Sequence, residues 1–174
     1  MTPLAVRPAV PGDLDALAGI YRAARAFMAA SGNPRQWGAS HPPLSQLAGD
    51  IARGQLYVLC DGTRPCAAFA LVPGPDPAYA RIEGGAWRSD APYAVVHRLA
   101  SDGSRRGVFA AALAFCAAQC PHLRIDTHAD NRVMQHLVAR AGFQYCGVIY
   151  VRDAGAPSPR LAYERLPGEG AQQK

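Results

Sequence analysis

The sequence predicts an α/β domain in which a mixed, mostly antiparallel sheet of about six to seven strands carries helices on both faces. Two observations predict it: strand patterns follow one another in the first half of the chain, and strands alternate with helices in the second half. The 174 residues, 49% of them hydrophobic, can bury one core of ordinary size. We therefore expect one domain over residues 1–167 and a flexible tail over 168–174.

Proline and glycine divide the first half into short elements. Asp13 is a candidate N-cap for a helix whose apolar residues, from Leu14 to Met28, follow the 3.6-residue repeat. The pair Asp61-Gly62 between two apolar runs is a hairpin signal. The predicted strands cover 4–7, 56–60, 66–72, 79–83 and 93–100, and a second short helix lies between 44 and 51.

The second half has longer, regular elements. A polar, glycine-containing segment at 101–106 opens directly into an apolar helix over 107–119. A further helix begins at Asp130-Asn131 and ends at Gly142. The predicted strands around these helices are 123–128, 143–151 and 161–166.

Composition and charge exclude several classes of protein. The net charge of +5, from 18 basic and 13 acidic residues, is too small to predict nucleic-acid binding, and no basic run is interleaved with aromatics. No apolar run approaches the ~20 residues that a membrane span needs. The five cysteines form no CxxC pair and are typical of buried free thiols in a reducing compartment, so we expect a cytoplasmic protein.

Metal binding is not predicted either. Asp126 and His128 alternate on one strand, and His122 lies just before it. These are too few ligands for a closed metal site.

One ordered set of motifs runs along nearly the whole chain. Its most specific part is Leu123-Arg124-Ile125-Asp126-Thr127-His128-Ala129-Asp130-Asn131, followed by Ala141-Gly142-Phe143 and Tyr145-Cys146-Gly147. It begins with Val6-Arg7-Pro8-Ala9-Val10-Pro11-Gly12-Asp13-Leu14 and ends with Leu161-Ala162-Tyr163-Glu164. The set resembles the GNAT superfamily of acyl-CoA-dependent N-acetyltransferases, in a bacterial subgroup without a defined acceptor. The resemblance implies acetyl-CoA as the donor, direct transfer to an amine without a covalent enzyme intermediate, and a sheet splayed between strands 4 and 5.

In that family the CoA pyrophosphate lies on a loop of the form Arg/Gln-x-x-Gly-x-Gly/Ala. Glycines let the backbone approach phosphate, and a helix N-terminus supplies fixed positive charge. The matching stretch here starts at Arg106 and ends at Ala111, with Phe109 where the second glycine would stand. The other interpretation is an ordinary turn with solvated arginines. The resemblance implies cofactor contacts from Arg105, Arg106, Gly107, Val108, Phe109 and Ala110.

Two further cofactor contacts are implied by the resemblance. Backbone N–H groups around Leu99, Ala100 and Ser101 would face the acetyl group. Asn131 would hold the pantetheine arm, and it is equally a candidate N-cap of its helix. The family often has a tyrosine seven residues after this Asn to protonate the CoA thiolate. That position is Val138, so another group or water must serve.

A base is needed because an amine with a pKa of ~10.4 is protonated at neutral pH. His97 is the first candidate, since imidazole titrates nearest neutral pH and this residue just precedes the implied acetyl site. Its other interpretation is a hydrogen-bonded, half-buried histidine. Asp126 and His128 share one strand face and either orient His97 or satisfy sheet-edge polar groups. Glu83 is the remaining candidate, with a solvated carboxylate as its alternative.

Aromatic side chains are candidates for lining the acceptor pocket. They are Trp37, Trp87 and Tyr150, to which we add His128, although core packing explains the aromatics equally well. Arg160 is a candidate contact for an acidic acceptor, with a solvated arginine as the alternative.

The sequence thus predicts an N-acetyltransferase that acts on a small-molecule or peptide amine. The rival hypothesis is a non-catalytic acyl-CoA-binding module, which Val138 and the degenerate phosphate loop favour. A monomer and a homodimer joined through the late strands both stay open. Nucleic-acid and membrane partners are not predicted.

Overall fold

The computed structural model describes residues 3–152 and 156–170 and contains one seven-stranded sheet of order β1-β2-β3-β4-β5-β7-β6. Only β4 and β5 pair in parallel, so the predicted mixed, mostly antiparallel sheet with helices is confirmed. The elements are β1 (Ala5–Pro8), α1 (Leu14–Ala30), α2 (Leu44–Ala52), β2 (Leu56–Asp61), β3 (Arg64–Pro73), β4 (Ala94–Ser101), α3 (Val108–Gln119), β5 (Leu123–Thr127), α4 (Arg132–Arg140), β6 (Gln144–Val151) and β7 (Ser158–Arg165).

The helices cover both faces of the sheet. On one face, α3 and α4 contribute residues such as Leu113 and Val138 to a core that includes Phe69 and Ile125. On the other face, α1 and α2 pack over β2 and β3. The segment between β3 and β4 covers the rest of that face, where Tyr79 packs with residues of β4, β6 and β7. The sheet is therefore buried on both sides, as its apolar strands require.

The strand predicted at 79–83 is wrong. Residues 77–79 form a short 3-10 turn, and the remaining pairing is a single bridge between Glu83 and Val148. The reason is topological, since β3 pairs directly with β4 and leaves no edge between them. The apolar residues that suggested a strand pack flat on the sheet instead, with Tyr79 stacked on Trp87 at 5.1 Å.

The start of α1 differs in detail from the expectation. The Asp13 side chain does not cap the helix, and it accepts instead from the Val10 N–H at 2.8 Å and from both terminal nitrogens of Arg7. Because a guanidinium and a backbone N–H both bind this carboxylate, they hold the pKa of Asp13 below its ordinary value against the opposing effect of burial. The interaction joins the end of β1 to the start of α1.

Residues 168–170, assigned to the tail from sequence, form a turn against the domain. Glu169 accepts from the Leu166 N–H at 2.9 Å and pairs with Arg88. Residues 171–174 lie outside the described residues.

A buried charged cluster fastens the segment 74–93 to the sheet. Glu164 on β7 is fully buried and accepts from Arg124 at 2.9 Å, from the Arg88 N–H at 2.6 Å, and contacts His122 Nε2 at 2.8 Å. The Arg124 guanidinium lies between the rings of Trp87 and Tyr93, 4.0 and 3.8 Å from their centroids. Burial raises the pKa of Glu164, but its three partners outweigh burial and lower it, so the carboxylate is ionised at neutral pH.

Replacing Glu164 by Gln should lower the free energy of unfolding by about 3 kcal/mol, because Arg124 would keep a buried charge without its carboxylate. The pKa of Glu164 is lower in the folded protein than in the unfolded chain. Its contribution to the free energy of unfolding is therefore present above the ordinary glutamate pKa and is lost as the pH falls through the pKa of the folded protein. Urea unfolding between pH 7 and pH 3 measures both effects. Glu83→Gln, at a carboxylate 42% exposed beside Arg81, should cost less than about 1 kcal/mol. Equal losses in the two variants would contradict the role of the cluster.

Candidate functional site

The sheet opens between β4 and β5. Their parallel ladder contains only Ala94–Leu123 and Val95–Arg124, although β4 continues to Ser101 and β5 to Thr127. A cavity of about 460 Å³ fills this opening. Its walls come from both sides of the sheet, namely α1 and the segment after it on one side, and α3 and α4 on the other. The predicted splay between strands 4 and 5 is therefore present and forms a passage through the sheet.

A β-bulge shapes β4 beside this opening. Ala68 pairs with Ala100 and Ala70 pairs with His97, so Arg98 and Leu99 together oppose a single residue of β3. Arg98 is the one described non-glycine residue with a positive φ, at 53°. The Tyr21 hydroxyl donates to the Arg98 carbonyl at 2.7 Å. The Arg98 guanidinium forms an ion pair with Asp50 at 2.7 Å, and the Asp50 carboxylate is only 2% exposed.

The bulge brings a free strand edge to the cavity. Leu99, Ala100 and Ser101 all line it. Their strand pairs with β3 on one edge, and among the described residues the other edge has no strand partner beyond Val95. Backbone N–H groups on that edge are therefore open to a bound carbonyl oxygen.

The loop from β4 to α3 continues the cavity. Asp102 organises it by accepting from the Ser104 N–H at 2.8 Å and from Arg64 at 2.7 Å. Gly103 and Gly107 have φ values of 80° and 79°, and a Cβ on either would meet nothing within 4 Å. Gly107 is the N-cap of α3 and supplies no capping side chain, so the first N–H groups of this helix are open to an anion.

The predicted cofactor residues divide into two groups. Val108 and Phe109 line the cavity, whereas Arg105, Arg106, Gly107 and Ala110 belong to the adjoining loop and helix start. The Arg105 side chain is 11% exposed and forms an ion pair with Asp61. Arg105 thus fastens the loop to the β2–β3 hairpin, and Arg106 is the exposed arginine of the pair.

Asn131 caps α4, as the sequence predicts. Its Oδ1 accepts from the Met134 N–H at 3.0 Å and its Nδ2 donates to Gln36 at 3.0 Å. Asn131 also lines the cavity. The cap and the contact with Gln36 fix this side chain at the cavity wall on the α4 side.

His97 lines the cavity and is held by a carboxylate that the sequence reasoning missed. Its Nε2 lies 2.8 Å from Asp76 Oδ2, and the imidazole and carboxylate are 20% and 15% exposed. Burial raises the pKa of Asp76, but hydrogen bonding and the charge of His97 outweigh it, so the net pKa is below the ordinary value. Asp76 precedes the 3-10 turn after β3, 21 residues before His97, and no local sequence pattern links the two residues.

Asp126 also lines the cavity, and Tyr79 holds it. The Tyr79 hydroxyl donates to Asp126 Oδ2 at 2.6 Å. Burial and the neighbouring Asp126 raise the pKa of Tyr79 well above its ordinary value, so the phenol keeps its proton. The carboxylate at His97 Nε2 is that of Asp76, at 2.8 Å.

Of the remaining predicted site residues, Trp37 and Arg160 line the cavity and the others lie elsewhere. Trp37 lines the cavity, with its ring 5.7 Å from that of Tyr21. Trp87 donates to the Tyr79 carbonyl and belongs to the packing of segment 74–93. Glu83 and Tyr150 contact each other at 3.2 Å and do not line the cavity. His128 accepts from the Asp130 N–H at 3.0 Å and stays outside the cavity wall.

Arg160 is buried, contrary to the solvated alternative, and lines the cavity. Its guanidinium donates to Ser158, to the Pro159 carbonyl and to the Gln36 carbonyl. It joins β7 to the segment after α1. The pattern of the sequence did not distinguish this arginine from the exposed ones.

Val138, at the position of the family's tyrosine, is fully buried between α4 and the sheet. The residues that line the cavity within the described part of the chain include no tyrosine. The five cysteines are free thiols, and four are buried. Burial raises the pKa of Cys146 to about 11, which keeps this thiol protonated and unreactive at neutral pH.

Within residues 3–152 and 156–170, three or more His, Cys, Asp or Glu side chains nowhere converge in a way that could hold a metal ion. None of the helices described there is long and apolar enough to cross a membrane.

Solved structures resemble this chain over nearly its whole length. An acetyltransferase of the GNAT family from Streptococcus agalactiae has a TM-score of 0.84 at 27% identity, over 95% of this chain and 96% of that one. A GNAT-family acetyltransferase from Listeria monocytogenes has a TM-score of 0.64 at 16% identity, over 93% and 94% of the two chains. A ribosomal-protein-alanine N-acetyltransferase from Brucella melitensis has a TM-score of 0.59 at 17% identity, over 94% of this chain and 99% of that one. No protein-family model and no curated protein matches the sequence.

Tyr21→Phe should lower the free energy of unfolding by about 1–3 kcal/mol, because the Arg98 carbonyl would lose the hydrogen bond that the buried Tyr21 hydroxyl donates. The matched control is Tyr57→Phe. The ring of Tyr57 stacks on Phe69, and its hydroxyl makes no hydrogen bond to the described residues. Urea unfolding of both variants measures the difference. If the two changes cost the same, the hydroxyl of Tyr21 does not stabilise the bulge.

Proposed function

From the premise that this chain has the fold of the GNAT superfamily of acetyltransferases, we propose that it transfers an acetyl group from acetyl-CoA to an amine. The observation that carries the proposal is the cavity between β4 and β5, which joins an open helix N-terminus to His97. A donor bound at the helix end would reach an acceptor on the far side of the sheet. The acceptor we propose is a small-molecule or peptide amine.

The residues around the passage fit CoA. The open N–H groups at the start of α3 and the space above Gly103 and Gly107 suit the pyrophosphate. The exposed Arg106 would add a charged contact. Val108, Phe109 and Met134 supply apolar wall for the pantetheine arm beside Asn131.

The free edge of β4 would bind the thioester carbonyl. When the amine nitrogen attacks the carbonyl carbon, negative charge develops on the oxygen, and N–H groups near Leu99–Ser101 would stabilise it. Collapse of this intermediate breaks the carbon–sulfur bond and releases the CoA thiolate. Because Val138 replaces a phenol, the thiolate would take its proton from water or from the protonated base.

His97 is the proposed base. An amine with a pKa of ~10.4 is protonated at pH 7, and removing the proton before it attacks costs about 4–5 kcal/mol of free energy. With Asp76 on Nε2, the Nδ1 atom of His97 is the ring nitrogen without a hydrogen-bond partner among the described residues. Nδ1 would take the amine proton directly or through water.

The acceptor would enter from the α1 side of the sheet. Phe27, Met28 and Trp37 form apolar wall there, and Asp126 provides a carboxylate near the base. A cytoplasmic location suits both the donor and the five free thiols.

An acetyl-CoA-dependent screen over amines, amino acids and peptides tests the proposed function. Free thiol release above the background of hydrolysis, together with the mass of the acetylated acceptor, would support transfer. Binding of acetyl-CoA without acetylation of any acceptor would favour the non-catalytic alternative, for which the buried Val138 is the supporting observation.

His97→Gln should lower kcat/KM by roughly 10²-fold through loss of the base, and the acidic limb of the pH–rate profile should disappear. The affinity for acetyl-CoA should stay unchanged, because His97 contacts Asp76 and the Tyr79 ring rather than the loop and helix start proposed for CoA. The control is His136→Gln, at an exposed position of α4 outside the cavity. Turnover in His97→Gln equal to that of the wild type would exclude His97 as the base.

Gly107→Ala should weaken acetyl-CoA binding about tenfold, which is the equivalent of one hydrogen bond of ~1.4 kcal/mol. The new methyl group would occupy the open space at the α3 N-terminus. Gly62→Ala is the matched control, since Gly62 also has a positive φ, of 63°, and open space around it. Each change should cost about 1–2 kcal/mol of stability. Calorimetric titration that finds equal CoA affinity in both variants would contradict the proposed phosphate site.

A further inference from the structure

The short segment 76–79 after β3 supplies a partner to His97 on β4 and to Asp126 on β5, both of which line the cavity. Asp76 contacts His97 on β4, and Tyr79 donates to Asp126 on β5. The segment itself is rigidly held. Asp76 Oδ1 accepts from the Ala78 N–H at 2.9 Å, and the Asp76 N–H donates to the Tyr93 hydroxyl at 3.0 Å.

The contact between Asp76 and His97 determines which ring nitrogen carries the proton. Since Asp76 is ionised at neutral pH, it accepts hydrogen bonds and cannot donate one. The Nε2 atom, 2.8 Å away, must therefore bear the hydrogen in neutral His97. The lone pair of the neutral imidazole is then on Nδ1. The ring of Tyr79 lies edge-on to the imidazole, 6.1 Å from its centroid, and limits its rotation.

We propose that Asp76 is a positioning residue that fixes His97 in the Nε2–H tautomer and directs Nδ1 to act as the base. The inference rests on the proposed function for the base itself. Asp126 on β5 receives the Tyr79 hydroxyl, and the carboxylate that contacts His97 Nε2 is that of Asp76. Asp76 touches no substrate; it stabilises the imidazolium that forms when Nδ1 takes the amine proton.

The tautomer of His97 is measured directly by long-range ¹H–¹⁵N correlation spectra of the ligand-free protein, with His97→Gln to assign the signals. We expect the wild-type ring to show a protonated Nε2 and an unprotonated Nδ1 at alkaline pH. A protonated Nδ1, or an even mixture of the two tautomers, would overturn the proposal. This measurement needs no variant of Asp76 and no activity.

Asp76→Asn provides the second test, because an amide can donate to the ring and so favour the Nδ1–H tautomer. We expect kcat to fall by up to the ~10²-fold that loss of the base costs, with KM for acetyl-CoA and for the amine unchanged. The matched control is Asp90→Asn, at an exposed carboxylate of the same segment 74–93. A wild-type kcat in Asp76→Asn would overturn the proposal.

The two tests separate this inference from the proposed function. A protein with the expected tautomer that acetylates no amine would contradict the proposed activity and leave the positioning of His97 intact. An active enzyme whose His97 has the other tautomer would contradict the role of Asp76 alone.

Discussion

The candidate site depends on one constraint, which is that β4 can pair along its whole length on only one edge. Its parallel ladder with β5 ends after Val95, and Leu99–Ser101, after the bulge at Arg98, line the opening. Two buried interactions hold that bulge in its left-handed conformation, one from Tyr21 on α1 and one from Asp50 on α2. Because the strands separate there, the cavity passes through the sheet and the N-terminus of α3 lies at one of its ends.

The segment between β3 and β4 gives the opening its chemistry. A fully buried carboxylate, Glu164, and the Arg124 guanidinium between two aromatic rings fasten this segment to β5 and β7. The fastened segment brings Asp76 and Tyr79 to the cavity groups on β4 and β5. The charged cluster that holds the segment on the sheet therefore also positions the residues that contact His97 and Asp126.

Local patterns were sufficient to predict most elements, because apolar periodicity and turn residues are short-range signals. They located α3 and the Asn131 cap. The placement of His97 and Leu99–Ser101 near an opening between strands 4 and 5 came from the family resemblance, and these residues line the cavity. Local patterns failed where packing over long sequence separations decides the outcome. Residues 79–83 pack on the sheet instead of joining it, Arg105 pairs with Asp61, and Asp76 lies 21 residues from its histidine. None of these contacts leaves a periodic signal in the sequence.

A crystal structure of the protein with acetyl-CoA tests the proposed site most directly. We expect the pantetheine arm to pass between β4 and β5, with the pyrophosphate at the N-terminus of α3. We also expect the acetyl oxygen within hydrogen-bond distance of an N–H group in Leu99–Ser101. Acetyl-CoA bound outside the β4–β5 opening, or with its acetyl group far from the bulge, would contradict the proposed site.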